Sequence, residues 1–153
     1  MIDLKWDFRK FDRNVNRIKR ESHSIGLQAM RRATEYVRGY IVKNKLSGQV
    51  LKRGTGRLAG SIGATQEIEG QDIVGKVGSG LKYARIHELG GVIRPKNFRY
   101  LHFFVKGEEV FAKKVTIPKR PYIMPSLKES SSKIANIFGS EFFAEIKSKV
   151  AKQ

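Results

Sequence analysis

The pair His87-Glu88, within the stretch YARIHELGG, is the most chemically suggestive feature of the sequence. It forms the first half of the zinc-protease motif H-E-x-x-H, in which two histidines on one helical face bind the metal and the glutamate is the general base. Gly91 stands where the second histidine is required, and Gly90-Gly91 is a glycine helix stop. The motif is therefore broken, and the sequence predicts no metal site and no cofactor.

Other catalytic arrangements find little support. The chain has no cysteine, which excludes disulfides, thiolate ligands and cysteine nucleophiles, and no serine stands in a G-x-S-x-G motif. The acidic residues of 67–72 and 108–109 surround turns, where solvation explains them. A small basic ribonuclease that uses His87 and Glu88 as acid and base stays open, because a fold can assemble such a site. We predict that the protein is not an enzyme.

Two long amphipathic helices flank the rest of the chain. From Asp12 to about Leu46 (12–46), apolar residues recur at threes and fours among arginines, which predicts a helix with a basic outer face. Gly26 and Gly39 predict a bend or close packing within it. Within residues 125–150, apolar residues stand at every fourth position from Ile134 to Val150. They predict a C-terminal helix whose apolar face covers a sheet, with a partner's groove as the alternative.

The middle of the chain predicts strands. Residues 47–57, SGQVLKRGTGR, are basic, glycine-rich and without periodicity, and we expect a flexible loop or assembly arm. Residues 58–117 predict an antiparallel sheet of about four strands, formed by two hairpins, with a short helix at 82–89 between them. The predicted fold class is α+β, in a single domain over residues 1–153.

One predicted strand combines aromatic and basic residues, which are Phe98, Tyr100, Phe103 and Phe104 beside Arg94, Lys96, Arg99 and Lys106. Such a strand can stack nucleic-acid bases. It lacks the aromatic-glycine signature of an RNA-recognition sheet, and apolar residues stand on both of its faces. We therefore expect it to be buried in the core.

The net charge of +17 predicts a negatively charged partner. Residues 1–53 hold 14 basic and 5 acidic residues, a net charge of +9. Such a surface binds phosphate backbones in a salt-dependent way, although high charge also keeps proteins soluble. No apolar run approaches the roughly 18 residues that span a membrane, and the first residues lack a signal-peptide plan. We expect no membrane partner and synthesis in a cytoplasm.

Three segments in order, TGRLAGSI (55–62), VGSGLKYARIHELGGVIRPKN (77–97) and VTIPKRPYIMPSLKE (115–129), carry a family resemblance. Together they resemble the tail-completion, or neck, proteins of the virion morphogenesis group of tailed phages and prophages. The positions that match this family's signature are Gly56, Arg57, Leu58, Tyr83, His87, Glu88, Gly90, Gly91, Pro118, Arg120, Pro121 and Tyr122. We hypothesise that Arg120 pairs with Glu88, which would tie the proline segment to the short helix.

The resemblance implies a structural protein of the virion neck, present in the bacterial host cytoplasm before assembly. Its implied form is a homo-oligomer, a hexameric ring that joins a head connector or adaptor to the tail tube or tail terminator. Packaged DNA would pass through the ring and touch it non-specifically. Residues that could line the channel or an assembly face are Arg17, Arg20, Arg31, Arg32, Arg38, Lys52 and Arg53. The alternative is a small basic nucleic-acid-binding protein or nuclease.

Overall fold

The computed structural model describes residues 8–51 and 55–151, with side chains described for residues 20–51 and 55–148. Two long helices flank short helices and strands, which confirms the α+β fold class. No helix in these ranges is long and apolar enough to cross a membrane. In chain order the elements are α1 (Phe8–Asn44), α2 (Arg57–Gly60), β1 (Ile62–Glu69), β2 (Asp72–Ser79), α3 (Lys82–Leu89), β3 (Gly91–Ile93), β4 (Leu101–Val105), β5 (Glu108–Ala112), β6 (Val115–Ile117) and α4 (Ile123–Ala151).

The chain divides into two compact units. The first holds α1 up to Arg38, the Ala64–Val77 part of the β1–β2 hairpin, and α4 from Ser130. The second holds Gly39–Gly63 and Gly78–Glu129, which include α2, α3 and strands β3 to β6. The assignment of residues 1–153 to a single domain stays a prediction.

The core of the first unit is one stripe of α1. Its four apolar residues are at most 4% exposed and follow each other at intervals of four, so they lie on one helical face. They are Ile25, Ala29, Ala33 and Val37. This is the buried face that the apolar periodicity predicts, and it leaves Arg20, Arg31 and Arg32 exposed on the rest of the helix.

Glycines allow α1 and β2 to pack closely in this unit. A side chain at Gly26 would collide with Ile73 of β2, and a side chain at Gly75 of β2 would stand 2.8 Å from the sulfur of Met30. Gly26 is thus a position of close packing, as its place in the helix predicts. Gly39 has open space around it.

The strands form three separate two-stranded sheets: β1–β2, β3–β6 and β4–β5. The last part of the region predicted to form two hairpins is divided at Lys113 and Lys114 into β5 and β6. Its second half, β6, pairs antiparallel with β3, where Ile93 faces Val115. Residues 91–93 have no helical or alternating pattern of their own, so their strand depends on a partner distant in sequence.

The β4–β5 hairpin is more exposed than its composition predicts. Phe98, just before it, is 80% exposed, Phe104 is 66% exposed, and Tyr100 and Phe111 are exposed as well. The prediction of a buried strand is therefore wrong for Phe98, Tyr100 and Phe104, while Phe103 is half-buried. The physical reason is that β4 and β5 pair only with each other among the described strands, so the hairpin is not part of a wider sheet packed into a core.

Candidate functional site

The carboxylate of Glu88 caps the N-terminus of α4. Its Oε2 accepts the backbone N–H groups of Tyr122 at 2.7 Å and Ile123 at 3.0 Å, and its Oε1 accepts that of Met124 at 3.0 Å. Glu88 lies near the end of α3 and is only 8% exposed. The cap therefore joins two helices 34 residues apart through a buried, charged side chain.

This cap leaves no N–H group of the first turn of α4 unpaired. The first four N–H groups of a helix have no partner within it. Here Tyr122, Ile123 and Met124 donate to Glu88, and the fourth residue, Pro125, has no N–H. The positive end of the helix dipole also favours a carboxylate at this place. Hydrogen bonds and charge thus act together in holding α4 on α3.

Gly90 permits the proline segment to approach α3. It has a φ of +72°, a left-handed conformation that side chains disfavour, and an added Cβ would lie 2.9 Å from the backbone nitrogen of Lys119. Its N–H donates to the carbonyl of Ile86 at 2.8 Å, while the N–H of Arg120 donates to the carbonyl of His87 at 2.8 Å. The glycine that ends the helix therefore also makes room for residues 118–120.

The predicted ion pair between Arg120 and Glu88 is absent. Both oxygens of Glu88 are taken by backbone donors of α4. Arg120 reaches α3 through its backbone N–H, which binds the carbonyl of His87. The sequence correctly predicts that the proline segment is tied to the short helix, but the tie consists of this backbone hydrogen bond and of the N–H groups that Glu88 accepts. They leave the Arg120 side chain exposed.

Tyr122 fills the space between the two signature segments. It is 0% exposed, and its hydroxyl donates to the carbonyl of Ala84, itself buried, at 3.4 Å. Burial, reinforced by the negative charge of Glu88, raises the pKa of Tyr122 to about 12. The phenol is therefore a neutral core group at physiological pH.

A cleft of about 570 Å³ opens in the second unit, and we call it the Arg57–Arg120 cleft. Its lining combines the turns after α1, the start of α2 and one side of α3. Leu46, Val50 and Leu51 supply aliphatic walls. Half of the signature residues predicted from the sequence also line it, and these are Gly56, Arg57, Leu58, Tyr83, His87 and Arg120.

The cleft contains two arginines and a histidine as well as the neutral polar residues Gln49 and Thr55. Arg57 and Arg120 are exposed, and neither forms an ion pair within the described part of the chain. The Nδ1 atom of His87 is buried with no hydrogen-bond partner among the described residues. Its ring meets the edge of the Tyr83 ring at a centroid distance of 6.1 Å. An acidic group entering the cleft would meet two guanidinium groups and an imidazole.

The geometry does not favour acid–base chemistry by the His87-Glu88 pair. A general base must be within reach of the reacting proton, whereas Glu88 is buried and its two oxygens already accept three N–H groups of α4. The described residues contain no group of three side chains suited to holding a metal ion. The arrangement builds a cap and a basic cleft.

In a comparison with protein-family models, residues 9–90 of this chain match the family described as "Bacteriophage HK97-gp10, putative tail-component". The match covers 82 of the 153 residues, which is more than half. The chain belongs to the HK97-gp10-like family. No curated protein and no solved structure matches it. As a member of this family of phage tail components it is a virion protein. This confirms the resemblance to phage tail proteins that the sequence motifs indicate.

The region matched to the HK97-gp10-like family runs from α1 to Gly90. It contains the signature residues of α2 and α3 and ends one residue before Gly91. Pro118, Arg120 and the rest of the second signature lie beyond it. In the structure the two parts meet through Glu88, because the capping carboxylate belongs to the matched region and its donors do not.

The basic residues proposed for a channel or assembly face do not act alike. Arg20 and Arg31 are exposed on α1. Arg32 forms an ion pair with Glu141 of α4, which raises the pKa of its guanidinium, and Arg38 binds Glu35 at 2.6 Å. Part of the predicted basic face is therefore neutralised within the chain. The side chain of Arg17, and the whole of Lys52 and Arg53, lie outside the described residues.

The β4–β5 hairpin is a surface that the sequence reasoning missed. Its turn residues Lys106 and Gly107 have φ angles of 55° and 90°, as in the type I′ turns that suit two-residue hairpins. The signal available in the sequence was the short K-G turn between two aromatic runs. A turn of this kind is compatible with an exposed hairpin and with a buried one, so it does not predict the exposure.

Proposed function

We propose that this HK97-gp10-like protein is a tail-completion, or neck, component that joins the tail to the head connector as a closed hexameric ring around the DNA channel. The family match is the observation that carries the proposal, because it assigns the chain to phage tail components. The partners proposed are a head connector or adaptor on one side and the tail tube or tail terminator on the other. Catalysis has no part in this function.

The surfaces of the second unit support assembly with other protein copies. A ring needs two different patches on each subunit, which meet head to tail and close. The exposed aromatic hairpin and the Arg57–Arg120 cleft are two such patches of different chemistry. An isolated two-stranded hairpin is marginally stable in water, so a neighbouring protein surface would also stabilise β4 and β5.

The charge supports contact with packaged DNA. The chain carries +17, and Arg20 and Arg31 are exposed on one helix. Contacts from such residues to phosphates are non-specific and weaken steeply as salt rises. A basic channel wall would let DNA pass without recognising its sequence.

A nuclease based on His87 and Glu88 is the weaker alternative. Its general base would have to abandon three hydrogen bonds that cap α4. Changing His87 to alanine separates the two functions: a nuclease would lose activity on DNA or RNA, whereas a neck protein would keep its ability to join heads and tails as long as it folds.

The test of the proposed function uses a phage that carries this gene and a mutant that lacks it. Electron microscopy of the mutant lysate should show DNA-filled heads and separate tails, and purified protein should restore joined particles and infectivity. Normal virions in the mutant lysate would overturn the proposal. A lysate with no tails at all would also contradict it, because a joining protein acts after the tail is complete.

A further inference from the structure

We propose that the β4–β5 hairpin of one copy enters the Arg57–Arg120 cleft of the next copy, so that Glu108 pairs with Arg57 and Arg120. This contact rests on the proposed ring and specifies which two surfaces form it. The hairpin supplies the acid and the apolar contacts, and the cleft supplies the basic groups. Repeated around the ring, the contact is head to tail and uses every hairpin and every cleft once.

Opposite charges favour a contact between two copies of this chain. Copies with a net charge of +17 repel each other, so a contact between them gains from opposite charges at the point of contact. Most carboxylates in the described part of the chain are already engaged: Glu35 with Arg38, Glu67 and Glu69 with Lys76, Glu88 with α4, Glu109 with His102, Glu129 with Lys45 and Glu141 with Arg32.

Two exposed hairpin-turn carboxylates among the described residues are left without an ion pair, Asp72 and Glu108. Asp72 begins β2, beside the turn of the β1–β2 hairpin. Glu108 begins β5, beside the turn of the β4–β5 hairpin, which carries the exposed rings of Phe104 and Phe111. Of the two, Glu108 is therefore the carboxylate without an ion pair that lies beside exposed aromatic side chains, as an interface requires.

The β4–β5 hairpin exposes large apolar side chains to solvent. Phe104, Val105 and Phe111 are exposed on a pair of strands that pairs with no other strand in the described part of the chain. Large aromatic residues are enriched at protein interfaces and contribute strongly to binding. Their burial in a second copy would remove apolar surface from water and fix a hairpin that is marginal alone.

The Arg57–Arg120 cleft fits a peptide better than a nucleic acid. Leu46, Val50 and Leu51 form part of its wall, and apolar walls gain nothing from a phosphate backbone. The tip of the β4–β5 hairpin has a carboxylate beside valine and phenylalanine. The carboxylate would bind the arginines of the cleft, and the apolar side chains would pack against its aliphatic wall. Guanidinium groups bind carboxylates through two parallel hydrogen bonds, which also fixes the orientation of the partner.

Cysteine cross-linking tests the contact in assembled particles, since the chain has no cysteine of its own. Joined particles restored with a protein carrying both Glu108→Cys and Arg120→Cys are oxidised with diamide and separated on a denaturing gel. We expect a ladder of covalent oligomers up to the ring. The matched control carries Asp72→Cys with Arg120→Cys, which places the first thiol at the other hairpin and should give no ladder.

Mixing experiments then show that the bond joins two copies. A size-tagged protein with Glu108→Cys is mixed with an untagged one with Arg120→Cys, and a dimer containing one of each is expected. Charge reversal gives a second measurement: Glu108→Arg or Arg120→Glu alone should weaken self-association about tenfold or more, and the two together should recover most of it. Arg85→Glu, an exposed charge reversal on α3 outside the cleft, should have little effect.

The outcomes separate this contact from the proposed function. If the protein with Glu108→Cys and Arg120→Cys restores joined particles but its ladder is absent, or no stronger than that of the Asp72 control, the contact is overturned and the joining function stands. If wild-type protein restores nothing, the proposed function fails first. If Arg57 and Arg120 substitutions lower affinity for double-stranded DNA and leave self-association unchanged, the cleft binds phosphate and the contact between copies is wrong.

Discussion

The carboxylate of Glu88 accepts the backbone N–H of Tyr122 at 2.7 Å, and this bond joins the two halves of the signature. The half around His87 supplies the acid, and the half around Arg120 supplies the helix that the acid caps. A histidine-glutamate pair that suggests chemistry thus has its glutamate committed to structure. Because the cap is buried and complete, its loss should be felt by the whole second unit.

Replacing Glu88 by glutamine should destabilise the protein by about 1 to 3 kcal/mol. The amide keeps one acceptor oxygen, but it loses the charge and turns an NH₂ group towards the N–H donors of α4. Chemical denaturation followed by circular dichroism measures the change. Glu108→Gln, at an exposed turn, is the matched control and should stay within about 0.5 kcal/mol of the wild type.

The same measurement separates the cap from the ion pair predicted by the sequence. Arg120→Gln removes the guanidinium but keeps the backbone N–H that binds the carbonyl of His87. We expect its stability to be close to that of the wild type. A loss as large as that of Glu88→Gln would mean that the arginine side chain, and not the backbone donors, holds Glu88.

Replacing Gly90 by alanine should destabilise the fold by roughly 1 to 3 kcal/mol. The φ of +72° is strained for alanine, and the new methyl would press on the backbone of Lys119. Gly39→Ala is the control: it lies within α1 with no atom near its Cβ position, so the change should stabilise the helix by about 0.5 to 1 kcal/mol. Thermal unfolding should therefore move in opposite directions for the two variants.

The buried phenol of Tyr122 predicts a loss of stability at high pH. Its pKa rises from 10.0 in the unfolded chain to about 12 in the folded one, so the unfolded state binds fewer protons between these values. The contribution of the neutral phenol to the free energy of unfolding is complete below pH 10. It falls by about 2 kcal/mol as the pH approaches 12. Urea unfolding at several pH values should show this slope in the wild type and less of it in Tyr122→Phe.

A second tyrosine-to-phenylalanine variant serves as the control for Tyr122→Phe. This control is Tyr100→Phe, which removes an exposed phenol from the aromatic segment before β4. If Tyr122→Phe loses stability between pH 10 and 12 as steeply as the wild type does, the phenol is not the group responsible.

Local patterns in the sequence predicted the helices well, and they failed where a partner is distant. The helix at 82–89 and its glycine stop follow from residues next to each other, and so does the buried stripe from Ile25 to Val37 of α1. The capping of α4 by Glu88 uses backbone N–H groups, which have no sequence signature; the proline at position 125 was the available hint. The pairing of β3 with β6 joins segments that are distant in the sequence. The exposure of Phe104 likewise depends on which strands pair with β4 and β5.

Phe98→Ser and Phe104→Ser should reduce self-association while changing stability little, because these rings are 80% and 66% exposed. An exposed ring adds little to the fold, but its burial between copies would favour assembly by the hydrophobic effect. Analytical ultracentrifugation over a range of concentrations measures association, and thermal unfolding measures stability. Phe143→Ser is the matched control, since this phenylalanine of α4 is 63% exposed and lies outside the hairpin. Equal loss of association in all three variants would indicate general stickiness of exposed rings, whereas loss confined to the first two would identify the β4–β5 hairpin as the assembly surface.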